Sequence, residues 1–98
     1  MTAKVYAVSI SQRRGELKKE IDAANIIVGF GIEGDGHGGD WDRQVTCLNW
    51  GSVVKSNELH RLQMGPGDFA ENVTIEGMEP FQPGDRFRLG PDVVLEVS

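Results

Sequence analysis

Residues 31–45 of this chain read GIEGDGHGGDWDRQV, and residues 67–77 read GDFAENVTIEG. Five of the nine residues from 31 to 39 are glycine. Glycine lets the backbone turn, or approach another group, where a side chain would collide. Acidic, basic and amide side chains stand between the glycines in both stretches. The pattern predicts two polar loops, set between apolar strands, that form a ligand site rather than ordinary connections.

Length and composition indicate a single globular domain. The chain has 98 residues, of which 39% are hydrophobic and 26% are charged, and these values are typical of one small domain. The formal net charge of −5 argues against sequence-independent nucleic-acid binding, because that activity needs a cationic face. A local group of arginines remains compatible with binding one small anion.

Cysteine content and hydropathy indicate a reduced compartment. Cys47 is the single cysteine, so the chain has neither an internal disulfide nor a cysteine-rich zinc site. No stretch approaches the apolar length needed to cross a membrane, and the first residues run directly into a strand-like pattern. These features predict a cytoplasmic protein with no membrane partner.

Alternating apolar residues predict several short strands. The first spans residues 5–10, a second bends through residues 26–32, and a third covers residues 44–48. Three more are predicted at 72–75, 86–89 and 93–97, separated by Pro-Gly-Asp and Gly-Pro-Asp turns at 83–85 and 90–92. Residues 12–20 are polar and carry no regular apolar face, so we interpret them as a solvated excursion.

One short helix accompanies these strands. Ser52 is predicted to cap it, and it would continue to Leu62 with a buried stripe formed by Val53, Val54, Leu59 and Leu62. The fold class predicted from all these segments is mainly β: a small β-barrel, or a bent antiparallel sheet, with one short helix.

The last strand is unusually apolar. Residues 93–97 read VVLEV, and the sequence ends one residue later. An apolar strand at a sheet edge invites pairing with another chain. We therefore expect this strand to lie inside the sheet, or to be covered by a partner, or to belong to a longer polypeptide.

The order of the motifs resembles MOSC domains, which are named for the C-terminal domain of molybdenum cofactor sulfurases. Five pieces carry this resemblance, and together they cover nearly the whole chain: GIEGDGHGG, RQV, GDFAENVTIEG, PGDRFRLG at residues 83–90 and VLEV at residues 94–97. The absence of a long insertion is similar to the small stand-alone MOSC proteins of prokaryotes.

The resemblance implies a β-barrel-like fold whose pocket binds the molybdenum cofactor, molybdopterin, and a role in sulfur transfer to molybdenum enzymes. It implies molybdenum enzymes or a cysteine desulfurase as protein partners. The reactive cysteine of the family follows the strand that matches residues 93–97 and would lie beyond Ser98. We therefore expect residues 1–98 to be one MOSC-like domain, truncated at its C-terminus relative to the family, without a catalytic residue of its own.

Eight residues are candidates for holding the cofactor. Arg43 offers a planar guanidinium suited to phosphate, and an amide such as that of Asn72 suits the edge of a pterin. Turn formation is an equal alternative for the aspartates that follow glycine, and a buried, inert role is favoured for Cys47. The candidates are Gly34, Asp35, His37, Arg43, Gln44, Asp68, Glu71 and Asn72.

Other functions remain open at this stage. A non-catalytic binding module could oligomerise, as a homodimer, through its last strand. A hydrolase could use Asp35 and His37. The spacing of these two residues with Asp40 and Asp42 fits neither a calcium loop nor a zinc site, so no protein-only metal site is predicted. Trp41 and Trp50 either flank the pocket or fill the core.

Overall fold

The computed structural model describes residues 2–41, 43–77, 82–89 and 92–98. Within these ranges the chain forms eight strands and one helix. In chain order they are β1 (Thr2–Ile10), β2 (Lys19–Ile21), β3 (Ile26–Ile27), β4 (Gly31–Ile32), β5 (Cys47–Asn49), α1 (Trp50–His60), β6 (Val73–Glu76), β7 (Arg86–Leu89) and β8 (Val93–Glu96).

Strand β1 lies at the centre of a six-stranded sheet. The order is β5-β6-β1-β7-β8, and β2 also pairs with β1. The β1–β6 pair is antiparallel with a register shift between Val5 and Ala7, and such a bulge bends a strand. The β1–β7 and β5–β6 pairs are parallel. A mainly β fold with bent sheets and one short helix confirms the predicted class; across the described residues the sheet stays open between β5 and β8.

The two faces of β1 have different surroundings. Val8 and Ile10 pack against the apolar core, and Ala7 and Ser9, which alternate with them, are buried on the other face. Alternation follows from the two-residue period of a strand. The buried core residues are Ile32, Val73, Ile75, Phe87 and Leu89. The β1 face that carries Ser9 therefore brings polar groups into the interior, where they need hydrogen-bond partners.

The helix differs from the prediction at both ends and in its buried stripe. It begins after Asn49, whose side chain accepts a hydrogen bond from the Gly51 amide, so Asn49 and not Ser52 is the cap. It ends at His60 rather than at residue 62. Only Val53 of the predicted stripe is buried; the exposed members are Val54, Leu59 and Leu62. The helix contacts the sheet through one narrow line, so most of its apolar side chains remain at the surface.

The strand predicted for residues 26–32 is a hairpin of two short strands. Ile26 pairs with Ile32 and Ile27 pairs with Gly31. Gly31 has φ of 115°, and a Cβ atom there would lie 2.6 Å from the Gln44 carbonyl oxygen. A side chain at this position would therefore be both strained and in collision with backbone. The hairpin places the first glycine-rich loop directly after β4.

Residues 12–20 are only partly a solvated excursion. Residues 12–17 are exposed, as predicted, but Lys18 is buried and β2 begins at Lys19. β2 pairs antiparallel with the end of β1, with Ile10 opposite Lys19. Pairing of this kind cannot be read from hydropathy, because the segment has no apolar alternation to reveal it.

The three later strands match their predicted positions closely. β7 and β8 form an antiparallel hairpin in which Phe87 lies opposite Leu95. The predicted turn at 90–92 falls partly on residues 90–91, which lie outside the described ranges. β8 ends the sheet order and so does not insert centrally. Its exposure alternates, with Val94 58% exposed, because only one of its faces meets the core.

The described helices include none with both the length and the apolar character required for a membrane span.

Candidate functional site

The end of β1 joins the two glycine-rich loops. The Ser9 amide donates to the Asn72 carbonyl at 2.7 Å, and the Asn72 side-chain amide donates to the Ser9 carbonyl at 3.1 Å. Two residues further on, the Ser11 amide donates to Asp35 Oδ1 at 3.1 Å, and the Gly36 amide donates to the Ser11 carbonyl at 2.6 Å. The loops at 33–41 and 65–72 therefore meet at one end of β1.

Lys18 lies beneath the first loop. Its Nζ is 2.9 Å from Asp35 Oδ1, 3.1 Å from His37 Nδ1 and 3.4 Å from Ser11 Oγ. The Lys18 and Asp35 side chains are both 0% exposed. An ammonium has three N–H donors, and each of these three neighbours can accept one. We call Lys18, Asp35, His37 and Ser11 the lysine cluster.

Asp35 is ionised within this cluster. Burial by itself would raise the pKa of the Asp35 carboxyl, but hydrogen bonds from Lys18, the Ser11 amide and Asn72, together with the charge of Lys18, lower it below its ordinary value. Hydrogen bonds and opposite charge that favour the charged form outweigh desolvation here. The second carboxylate oxygen accepts the His37 backbone amide at 3.2 Å. Asp35 therefore fixes the loop backbone and the ammonium together.

The His37 ring is half-buried between the lysine cluster and Trp41. Desolvation lowers the pKa of His37, and the positive charges of Lys18 and Arg14 lower it further, while Asp35 acts in the opposite direction. His37 is therefore neutral at neutral pH. The Trp41 indole stacks parallel to the ring at a centroid distance of 6.1 Å, and its Nε1 donates to the His37 carbonyl at 2.7 Å.

Arg14 lies over the ring of Trp41. Its guanidinium carbon lies 3.9 Å from the centre of the Trp41 ring, a cation–π geometry. Arg14 is exposed, so its guanidinium donors reach solvent. The loop at 12–17 also packs closely here: a Cβ atom on Gly36 would lie 2.6 Å from the Arg13 carbonyl carbon. Trp41 thus flanks the polar loops, whereas Trp50 stacks on Tyr6 at 4.5 Å, at the start of α1.

Asn72 is fully buried and ties β1 to the segment before β5. Its Oδ1 accepts from the Thr46 amide at 3.1 Å and from the Thr46 hydroxyl at 3.2 Å. Its Nδ2 donates to Ser9. An amide has two acceptor lone pairs and two N–H donors, and the Asn72 side chain also acts as a donor that lowers the pKa of Asp35. The role of Asn72 in this network is structural.

Glu71 carries a polar atom without a partner. The residue is 3% exposed, and its Oε2 accepts from the Thr74 hydroxyl at 2.8 Å. Neither Glu71 Oε1 nor Ser9 Oγ has a hydrogen-bond partner among the described residues. A Cβ atom on Gly67 would lie 2.7 Å from Ser9 Oγ. Because nearly all buried polar atoms have a hydrogen-bond partner, these two oxygens are available to a bound water, ion or ligand group.

The remaining candidates make no contact through a side chain with the lysine cluster. Asp68 is exposed, and its Oδ2 accepts from the Gly65 amide at 2.7 Å, which is the turn-forming alternative. Gly34 is exposed with φ of 84°. Arg43 is exposed and has no hydrogen bond or ion pair with another described residue. Gln44 is half-buried and lines a separate apolar groove.

That groove lies between β8 and the β3–β4 hairpin. It has a volume of about 470 Å³ and includes only Gln44 of the eight candidate residues. Cys47 also lines it and packs against the core, although part of the residue remains accessible. Burial raises the pKa of the Cys47 thiol to about 12, so it is protonated at neutral pH and a poor nucleophile. The polar groups of the loops and this apolar groove are therefore separate features.

Asp35 and His37 also bear on two other kinds of site, a hydrolase centre and a metal site. A hydrolase would need the carboxylate to orient the imidazole, but Asp35 bonds to the His37 backbone amide, and the His37 ring contacts Lys18 instead. Asp42 lies outside the described residues. The described residues contain no group of three or more His, Cys, Asp or Glu that could hold a metal ion.

Lys18 is the residue that sequence reasoning missed. Lysine is rarely fully buried, and residues 12–20 have no pattern that would single out one lysine of the adjacent pair. The sequence shows Arg14 only as one of two adjacent arginines, with nothing to distinguish it from Arg13. The signal for both residues lies in tertiary packing against the first loop.

Comparison with known protein families matches residues 33–98 of the chain to one family model, described as the MOSC domain. Lys18 and Arg14 precede the matched range. Neither the curated proteins nor the solved structures include a match to this chain.

Proposed function

Because the chain belongs to the MOSC domain family, we propose that its two glycine-rich loops bind molybdopterin, the pterin component of the molybdenum cofactor. The family is generally associated with molybdenum cofactor sulfurases and with binding of that cofactor. Binding of molybdopterin by this chain is supported by the geometry of its loops.

The observation that carries the proposal is the meeting of three polar segments at the end of β1. The loop at 12–17 supplies Arg14, the first glycine-rich loop supplies His37, and the second supplies the buried Glu71. Cationic and N–H donor groups suit the phosphate of a pterin cofactor. The unpaired Glu71 Oε1 suits the amino and ring N–H donors of a pterin. The residues present therefore fit the organic part of the cofactor.

We assign separate tasks to the residues of this site. Arg14 and Arg43, both exposed cations that flank the Trp41 segment, would hold phosphate. His37 would donate a hydrogen bond, and Glu71 would accept one. Gly34 and Asp35 shape the first loop, and Asp68 and Asn72 shape the second. When bound, the cofactor would supply a molybdenum centre with its redox and sulfur chemistry.

Sulfur transfer requires a reactive thiol in addition to the residues that would bind the cofactor. A persulfide step needs a thiolate, and the one cysteine of the chain, Cys47, has a pKa raised to about 12. We therefore propose a cofactor-binding protein that serves sulfur transfer to molybdenum enzymes, with those enzymes or a cysteine desulfurase as its partners. A cytoplasmic location accompanies this proposal.

Substitution of Arg14 by alanine tests the site. The loss of a charge-assisted hydrogen bond costs about 1.5–3 kcal/mol, so we expect Arg14→Ala and Arg43→Ala each to weaken molybdopterin binding roughly 10- to 100-fold. Binding would be measured by equilibrium titration of pterin fluorescence under anaerobic conditions.

Arg88→Ala is the matched control, because Arg88 is also an exposed arginine but lies on β7. The affinity of the Arg88→Ala variant for molybdopterin should equal that of the unmodified protein. Equal affinities for Arg14→Ala, Arg43→Ala and Arg88→Ala would remove both arginines from the site. No binding by the unmodified protein would remove the proposed function itself.

A second candidate function, a self-associating binding module, is favoured by the position of β8. This strand ends the sheet, with Val94 58% exposed. Antiparallel pairing with a second copy, with Leu95 opposite Leu95, would set Val94 opposite Glu96 and Val93 opposite Val97, since opposed residues share a face of the sheet. Like charges would then not face each other directly. We propose a homodimer formed by these edges.

Val94→Glu tests this interface, because it would set a carboxylate opposite Glu96 of the second copy. We expect light scattering after size-exclusion chromatography to show a dimer for the unmodified protein and a monomer for Val94→Glu. Leu59→Glu is a suitable control, since Leu59 is 73% exposed on the helix. A monomeric unmodified protein at high concentration would exclude the dimer.

A further inference from the structure

The lysine cluster determines which nitrogen of the His37 ring carries its proton. The contact between Lys18 Nζ and His37 Nδ1 is 3.1 Å long. A lysine ammonium has donors and no acceptor. Its partner at 2.9 Å is the ionised, fully buried Asp35. Nδ1 must therefore offer its lone pair to Lys18, and in a neutral imidazole the proton then lies on Nε2.

From this geometry we propose that Lys18 is a positioning residue: it holds His37 in the Nε2–H tautomer, so that His37 presents a hydrogen-bond donor, and not a base or a metal ligand, to the bound molecule. Nδ1 is occupied by Lys18, and Nε2 has no partner among the described residues. His37 is only half-buried, so part of the residue is open to solvent.

The surroundings of the ring hold it in this state. The His37 backbone amide is fixed by Asp35 Oδ2, and its carbonyl accepts from Trp41 Nε1. The charged groups around it are Lys18, Arg14 and Asp35, and the two cations together with desolvation lower the pKa of His37. Protonation of Nδ1 would place an N–H against the Lys18 ammonium, so the geometry and the electrostatics favour the same form.

The tautomer of His37 determines which kind of ligand atom can pair with Nε2. An Nε2–H group pairs with an acceptor, such as a phosphate oxygen or a pterin carbonyl, and cannot donate a lone pair to a metal ion. The identity of the ligand rests on the proposed function, whereas the tautomer does not. Lys18 precedes the residues matched by the family model, and sequence patterns assign it no role.

The tautomer can be measured on the unmodified protein. A long-range ¹H–¹⁵N correlation spectrum of the uniformly ¹⁵N-labelled chain reports protonation at each imidazole nitrogen. The chain has two histidines, and His60→Gln assigns the His37 signals, because His60 is exposed at the end of the helix. We expect an unprotonated Nδ1 and a protonated Nε2 for His37 at pH 7. A protonated Nδ1, or an averaged pair of signals, would overturn the proposal.

Variants of Lys18 add a test that a merely structural role would not meet. In Lys18→Met the ammonium is absent and Asp35 remains. We therefore expect the two ring nitrogen signals of His37 to be averaged over both tautomers. We also expect a higher pKa for His37, because the charge of Lys18 lowers it. Lys18→Arg keeps a cationic donor and should keep the Nε2–H form. Retention of a pure Nε2–H form in a folded Lys18→Met protein would contradict the role of Lys18. If Lys18→Met does not fold, the spectrum of the unmodified protein decides.

The two proposals fail in different ways. An Nε2–H tautomer in a protein that does not bind molybdopterin would leave the role of Lys18 intact and remove the proposed function. Cofactor binding by a protein with an Nδ1–H tautomer would do the reverse.

Discussion

Lys18→Met is expected to lower the free energy of unfolding by about 3–5 kcal/mol, which is the usual cost of removing one partner from a buried ion pair. The Lys18 and Asp35 side chains are both 0% exposed and lie 2.9 Å apart. Without the ammonium, the ionised Asp35 would keep its charge in the interior or take up a proton at a free-energy cost. Urea denaturation followed by tryptophan fluorescence would measure the loss.

Lys19→Met is the matched control, because Lys19 is the neighbouring lysine and is exposed. Its stability should change by less than about 0.5 kcal/mol. The double variant Lys18→Met/Asp35→Asn removes both charges while leaving an acceptor for the Ser11 amide. It should be more stable than the sum of the single losses predicts, because the two sites interact directly. A loss of under 1 kcal/mol for Lys18→Met would mean that solvent reaches the pair.

Asn72→Ala is expected to lower the free energy of unfolding by about 2–4 kcal/mol, since each buried polar group left without its partner costs about 1–3 kcal/mol. The substitution removes the acceptor of the Thr46 amide and hydroxyl and the donor to the Ser9 carbonyl. The segment before β5 and the end of β1 would both lose their tie to the second loop. Thermal unfolding followed by circular dichroism would report the change.

Two further variants locate the cause of that loss. Asn25→Ala is the control, because Asn25 is exposed and its contact with Glu33 is 3.5 Å long, so its removal should have little effect. Asn72→Asp keeps the acceptor for Thr46 but sets a carboxylate oxygen against the Ser9 carbonyl, and it should also destabilise the fold. If Asn72→Ala unfolds at the same temperature as Asn25→Ala, the network carries no stability and Asn72 is free for a ligand.

The sequence by itself determined the strands whose pattern is local. Residues 86–89 and 93–97 alternate between turn signals, and the structure places β7 and β8 there. The glycine-rich loops were equally visible, because glycine at positive φ is a local requirement of the backbone. The family followed from the order of these motifs along the chain.

Only the tertiary structure decided which polar groups meet inside the molecule. Asp35 and Asn72 are candidates from their motifs, but their partners are distant in sequence: Ser9 lies on β1, and Ser11 directly follows it. Lys18 is buried because β2 pairs with β1 and carries it beneath the first loop. Sequence patterns record which residues prefer water, whereas the burial of a lysine depends on a charge supplied by another segment. That pairing exists only once the chain has folded.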